Sequence, residues 1–140
     1  MGEEKLGAGA AWGVFVLRLV LGGILLAHGL LRLWPSNVEK AAASLVFPTA
    51  VLGAQTSLVI VGAGELFIGL LVISGFFLRL ALIPLTAYLI ANVVHCAKTQ
   101  PLLSPSGSST EEYLILLLIA LALIGLGPGR FSLERLFKSS

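Results

Sequence analysis

Residues 12–34 read WGVFVLRLVLGGILLAHGLLRLW, with Arg18, His28 and Arg32 as the ionisable side chains in an otherwise apolar run. A hydrocarbon layer of ~30 Å takes about 20 helical residues at ~1.5 Å each, and this run has that length. Its residues are Leu, Val, Ile, Ala and Gly without period-2 alternation, so it reads as a helix and not as a barrel strand. Three similar stretches follow, Val51 to Gly75, Leu78 to Ala97 and Glu111 to Gly127, the last reaching across if its acidic start sits at the interface. The pattern predicts an all-α integral membrane four-helix bundle.

Composition agrees. The chain has 140 residues, of which 57% are hydrophobic and 11% charged, with 16 further glycines. A soluble domain carries about 25% charged residues, and a small one has much surface to cover. Seven acidic residues, all Glu, and nine basic ones do not cover it. A mean hydropathy of +1.01 points to lipid as the main solvent. These values exclude a soluble enzyme, a disordered chain and a disulfide scaffold. The net charge of +2 is scattered along the chain, with no stripe to neutralise a row of phosphates, so no nucleic-acid partner is expected. Cys96 is the one cysteine, which excludes an internal disulfide and a thiolate metal cage.

The first stretch is expected to remain as a span. It is too long for a signal peptide, follows Glu3 and Glu4, and closes on no small-residue cleavage site. With four spans, Lys5, Arg79, Arg130, Arg135 and Lys138 share one side of the membrane, and Arg32, Lys40 and Lys98 the other. The excess places both termini in the cytoplasm. Gly75 to Phe77 is a tight turn that makes a hairpin of the second and third helices, and Gln100 to Thr110 is a Pro/Ser/Gly loop. Between Trp34 and Ala50, residues Val38 to Val46 predict a short amphipathic helix at the interface, ended by Pro48, with Glu39 and Lys40 facing water. A plain loop is the alternative. Gly127-Pro128-Gly129 stops the fourth helix, and Ser132 caps a short interfacial helix holding Glu134 and Arg135.

Ionisable groups at bilayer depth are costly, and so are functional candidates. At 100° per residue, Arg18, Gly22, Leu25, His28, Gly29 and Arg32 share one face of the first helix. Gly62, Glu65 and Gly69 share a face of the second, and Tyr88, Asn92 and His95 one of the third. These faces are expected to converge. Glu65, near the middle of its helix, either pairs with Arg18 (or with Arg79, if that side chain reaches in) or takes a proton and stays neutral. Arg18, Glu65 and Arg79 are therefore the candidates for quinone binding or proton handling. A buried ion pair that merely locks helices is the plainer account. His28 and His95, with Asn92 beside them, are placed near one outer pocket and are the cofactor-binding candidates. Such histidines ligate haem iron or the magnesium of a chlorophyll-type pigment, or hydrogen-bond a quinone; simple interhelical hydrogen bonds are the alternative. No catalytic set, phosphate loop or metal motif is present.

The stretches Leu17-Arg18-Leu19 with Gly22, Ala27-His28-Gly29-Leu30-Leu31-Arg32-Leu33, and Gly64-Glu65-Leu66 with Gly69 stand in order along the chain. Gly75-Phe76-Phe77-Leu78-Arg79 and Gly127-Pro128-Gly129-Arg130-Phe131-Ser132-Leu133 follow. Together they resemble the DoxX family of small four-helix bacterial membrane proteins. Arg32 and Glu134 stand where that family commonly has lysine and aspartate. The family is similar to the membrane subunit of thiosulfate:quinone oxidoreductase. The resemblance implies one domain over residues 1–140, with a tail from 128 to 140, in the bacterial inner membrane. It implies a membrane subunit of a quinone-linked redox assembly with other membrane subunits as partners. The alternative is a non-catalytic accessory subunit of a larger respiratory or photosynthetic complex, holding haem or chlorin through histidine. A small carrier ranks below both.

Overall fold

The computed structural model of the chain describes residues 7–37, 53–107, 109–129 and 132–139. Among these residues the fold is all-helical. Helix α1 spans Ala8–Leu33 and ends on a 3₁₀ turn at Pro35–Asn37. It is followed by α2 (Ala54–Ser74), α3 (Leu78–Thr99), α4 (Ser109–Leu126) and the short α5 (Leu133–Ser139). The amphipathic helix expected over Val38 to Val46 lies outside the described residues.

Among the described residues three helices are long and apolar enough to cross a membrane, at Ala8–Leu33, Gln55–Ser74 and Leu78–Lys98. The distribution of side chains fits lipid as the surrounding solvent. Phe67, Leu70, Leu80 and Ile83 face outward, while Arg18, Glu65 and Asn92 are buried. This is the inverse of a water-soluble surface. The protein is thus a multi-pass membrane protein.

The bundle is built from two close pairs, α1 with α2 and α3 with α4, joined by lighter contacts of α1 with α4 and α2 with α3. Glycine sets the first pair. A Cβ on Gly22 would stand 2.8 Å from the carbonyl oxygen of Gly69, and one on Gly29 would stand 2.8 Å from that of Gly62. Backbone therefore meets backbone, as membrane helices do where small residues line the contact. These two contacts also fix an antiparallel register. Between the pairs, Leu21, Leu25, Val72, Leu82, Leu89, Leu116 and Leu123 form the core.

The turn between α2 and α3 falls where the sequence places it. Gly75 takes the left-handed conformation (φ 72°) and its N–H donates to the carbonyl of Leu71, the usual glycine stop of a helix. Phe77 is also left-handed (φ 47°), without a glycine's freedom. At the far end Gly127 donates its N–H to the carbonyl of Leu123 and ends α4. α5 then starts after the buried Ser132, whose hydroxyl donates to the carbonyl of Gly129.

Candidate functional site

Each long helix contributes one polar side chain to a single cluster. Arg32 from α1 approaches Glu65 from α2, with Nε 3.3 Å from Oε2, and both side chains are about nine-tenths buried. Tyr88 from α3 and Tyr113 from α4 bring their phenol groups near the same guanidinium and interact with it electrostatically. The chain has two tyrosines, and both end at Arg32. A planar guanidinium with its five donors suits a site that must serve a carboxylate and two phenol oxygens together. Its Nη1 and the Glu65 Oε2 are buried without a hydrogen-bond partner.

The geometry of antiparallel helices explains this pairing. In the register set by the glycines, Glu65 lies level with Leu26, so Arg32 is about 9 Å further along α1. Helical side chains lean toward the N-terminus of their own helix. On antiparallel neighbours Arg32 and Glu65 therefore lean toward one another and close that gap. Arg18 and Glu65 lean apart by the same rule. The expected Arg18–Glu65 pair gives way to Arg32–Glu65.

Arg18 serves the opposite end of the bundle. It is buried, and its Nε donates to the carbonyl of Val72 (3.0 Å) and its Nη1 to that of Pro128 (3.0 Å). Nη2 donates to the carbonyl of Ile73. The guanidinium thus satisfies the carbonyls that end α2, where a cation is favoured, and ties them to the turn after α4. Arg79 is exposed at the same end, beside Gly127. Neither arginine is brought to Glu65.

The histidines do not share a pocket. His28 Nε2 lies 2.9 Å from Oε1 of Glu112 at the start of α4, and both side chains are partly exposed. His95 is exposed on α3, so the stripe that begins at Tyr88 turns out of the bundle before reaching it. Asn92 is buried, but its Nδ2 donates back to the carbonyl of Tyr88 on its own helix (2.8 Å). Among the described residues no group of three or more His, Cys, Asp or Glu side chains gathers to hold a metal.

Beside the cluster is a cleft of about 170 Å³ between α2 and α3. Val61, Gly64, Glu65 and Ile68 form one wall, and Pro84, Leu85 and Tyr88 the other. Pro84 sits inside α3 and lacks the N–H that would bond the carbonyl one turn back. The cleft lies near the middle of both helices, and its outer lip at Pro84 is exposed. At that depth an outward opening faces lipid. Its surface is almost wholly apolar, with Glu65 and Tyr88 the polar residues among those that line it, and Arg32 adjoins Glu65.

Sequence reasoning missed three of these four residues as a site. The sequence puts Arg32 on the converging face of the first helix and Tyr88 on that of the third without assigning either to the site, and it singles out no role for Tyr113. The signal that finds them is the lean of side chains on antiparallel helices, applied to the buried acid.

Compared with known proteins, residues 13–96 match the family model of DoxX. The match covers most of α1, all of α2 and nearly all of α3, and α4 lies beyond it. No curated protein and no solved structure matches the chain.

Proposed function

The chain belongs to the DoxX family, and from that premise we propose that it is a membrane subunit of a quinone-linked redox assembly, with its quinone site in the α2–α3 cleft. One observation carries the reading: a ring-sized, mainly apolar cleft near the middle of α2 and α3 has Glu65 and Tyr88 among the residues that line it. A cavity of about 150 Å³ holds a benzene ring, and this one measures about 170 Å³.

A quinone held there supplies two-electron, two-proton redox chemistry. The residues supply the rest. Tyr88, beside Arg32, has a phenol proton to donate to a ring carbonyl. Glu65 accepts from a ring hydroxyl when ionised and donates to a carbonyl when protonated. It thus suits a ligand whose oxygens alternate between those forms. Arg32 cannot lose its proton and holds both partners in place. Arg18 braces the opposite end of the bundle, where Arg79 lies exposed. In this reading α4, 18 residues long and opening on Glu111 and Glu112, also crosses the membrane, and both termini lie in the cytoplasm of a bacterial cell.

Binding of a short-tailed benzoquinone to the protein in nanodiscs tests the proposal. Saturable binding is expected, weakened about tenfold by Tyr88→Phe, the loss of one hydrogen bond. Absence of saturable binding refutes it. The accessory-subunit reading through a tetrapyrrole gains nothing from the geometry, since His28 is engaged by Glu112 and His95 faces outward.

A further inference from the structure

We propose that the first turn of α3 and the short α5 together bind one anionic phospholipid, at the end of the bundle opposite Arg32. Arg79 and Lys138 hold its phosphate, and Phe77, Leu136 and Phe137 lie against its acyl chains. The inference is independent of the quinone reading, which makes no use of Arg79 or of α5.

α5 is folded onto the turn between α2 and α3. The rings of Phe137 and Phe76 meet edge to face with centroids 6.0 Å apart, and those of Phe76 and Phe77 are 4.3 Å apart. Edge-to-face pairs of this kind add to the energy of burial, and they fix α5 beside the start of α3. Much of the apolar surface nevertheless stays uncovered. Phe77 is 54% exposed, Leu136 65% and Phe137 69%. Leu133, Leu136 and Phe137 stand at i, i+3 and i+4, which is one face of a helix. Next to the end of a membrane span, such a face lies among lipid headgroups and the first carbons of their chains.

Charge selects the lipid. Arg79 is exposed on the first turn of α3, and its side chain leans toward the N-terminus of that helix, out of the hydrocarbon. Its Nη2 would stand 3.2 Å from a Cβ on Gly127, so the guanidinium rests on the turn that ends α4. Among the described residues it has no ion-pair or hydrogen-bond partner. A cation in the first turn of a helix is also opposed by the helix dipole, and a phosphate beside it reverses that penalty. Lys138 is exposed on α5 directly after Phe137, so the contact of Phe137 with Phe76 puts the two basic side chains on adjoining elements. The tail from 128 to 140 carries Arg130, Arg135 and Lys138 against the single acid Glu134. A basic group near an anionic membrane surface gains about fivefold in affinity, and a guanidinium matches a phosphate with two parallel hydrogen bonds. A zwitterionic headgroup carries its own cation beside the phosphate and gains less.

The test uses the full chain in detergent, as wild type, Arg79→Gln, Lys138→Gln, the double variant and Lys98→Gln. Lys98 is exposed near the other end of α3 and is the internal control. Equal amounts of phosphatidylglycerol and phosphatidylcholine with the same acyl chains are added. Native mass spectrometry then measures the lipid retained on each protein, and circular dichroism the unfolding midpoint. Wild type should retain one phosphatidylglycerol at least tenfold in preference to phosphatidylcholine. Each single variant should lose about fivefold of that preference, and the double variant nearly all of it. Lys98→Gln should behave as wild type, and Arg79→Lys should keep more of the preference than Arg79→Gln. Phosphatidylglycerol should raise the unfolding midpoint of wild type more than that of the double variant. Both side chains are exposed, so in phosphatidylcholine the variants should unfold at the wild-type midpoint; should the double variant fold poorly, the two single variants decide on the same criterion. Equal retention of the two lipids by wild type overturns the inference. So does a preference that survives both substitutions, or one that Lys98→Gln lowers equally.

Discussion

Removing the charge of Glu65 should destabilise the bundle through Arg32 and leave Arg18 indifferent. In the structure Arg32 Nε and Glu65 Oε2 are 3.3 Å apart, with side chains 11% and 7% exposed. Breaking a buried pair by removing one partner costs about 3–5 kcal/mol, because the other charge stays buried. Glu65→Gln keeps the shape and an acceptor, and the two phenols remain near Arg32, so a value near the lower end, about 3 kcal/mol, is expected. That lowers the folded-to-unfolded ratio on the order of a hundredfold. Replacing both partners by apolar residues of similar size, as in Arg32→Met with Glu65→Leu, removes the stranded charge and should recover most of the loss. Reversible unfolding in mixed micelles, followed by far-ultraviolet circular dichroism, measures each variant and gives the coupling energy of the cycle. For Arg32 and Glu65 that coupling should be about 2 kcal/mol or more. For Arg18 and Glu65 it should lie within about 0.5 kcal/mol of zero, as for independent sites. A large Arg18–Glu65 coupling, or an Arg32–Glu65 coupling near zero, would refute the assignment of the pair.

Gly29→Ala places a methyl group 2.8 Å from the Gly62 carbonyl oxygen and should cost about 1–3 kcal/mol, as overpacking does. Gly13→Ala on the same helix meets nothing within 4 Å and should stay within about 0.5 kcal/mol of wild type, measured by the same unfolding curves. Gly75→Ala meets both a positive φ of 72° and the Arg18 guanidinium, 2.5 Å from Nη2. It should lower stability by more than the ~1–3 kcal/mol of backbone strain alone, whereas Phe77→Gly, which relieves a left-handed phenylalanine, should not lower it. His28→Ala breaks a partly exposed pair and should cost at most about 1 kcal/mol, less at high salt; a loss of several kcal/mol would show that Glu112 does more than sit at the rim. A tag joined to Ser140 should escape an impermeant labelling reagent in intact cells, and labelling there would reverse the inferred orientation.

Much of the frame was legible because membrane helices obey coarse rules. Length and hydropathy marked α1, α2 and α3, and a left-handed glycine marked the turn at Gly75 because few other residues end a helix so sharply. The glycine face of α1 was readable from spacing alone: Arg18, Gly22, Leu25 and Gly29 are buried, and His28 and Arg32 partly so. Asn92 and His95 show where angular reasoning weakens. A polar stripe at i, i+4 and i+7 does converge on the interior at Tyr88, but α3 packs mainly on α4, and by His95 the stripe has left the contact. Asn92 could bond its own helix, and no spacing argument distinguishes that from a bond across helices.

The site itself was hidden by measuring depth at the Cα atom. By that measure Arg18 and Glu65 were plausible partners, and Arg32, one residue from the end of α1, belonged to the interface. Arginine is long and its direction on a helix is fixed, so its charge lies well toward the N-terminus of its own Cα. Applied to α1, that displacement carries Arg18 out of the middle of the membrane, to the carbonyls ending α2, and carries Arg32 in. The two buried guanidiniums then differ in what neutralises them. Arg18 meets backbone carbonyls, which have no proton to exchange, and so does structural work. Arg32 meets a carboxyl and two phenols, groups whose protons can move, beside a cleft wide enough for a ring. A fixed cation holding proton-bearing partners beside a cavity is more than helix packing alone requires, and that is the ground on which the proposed site is centred on Arg32 and not on Arg18.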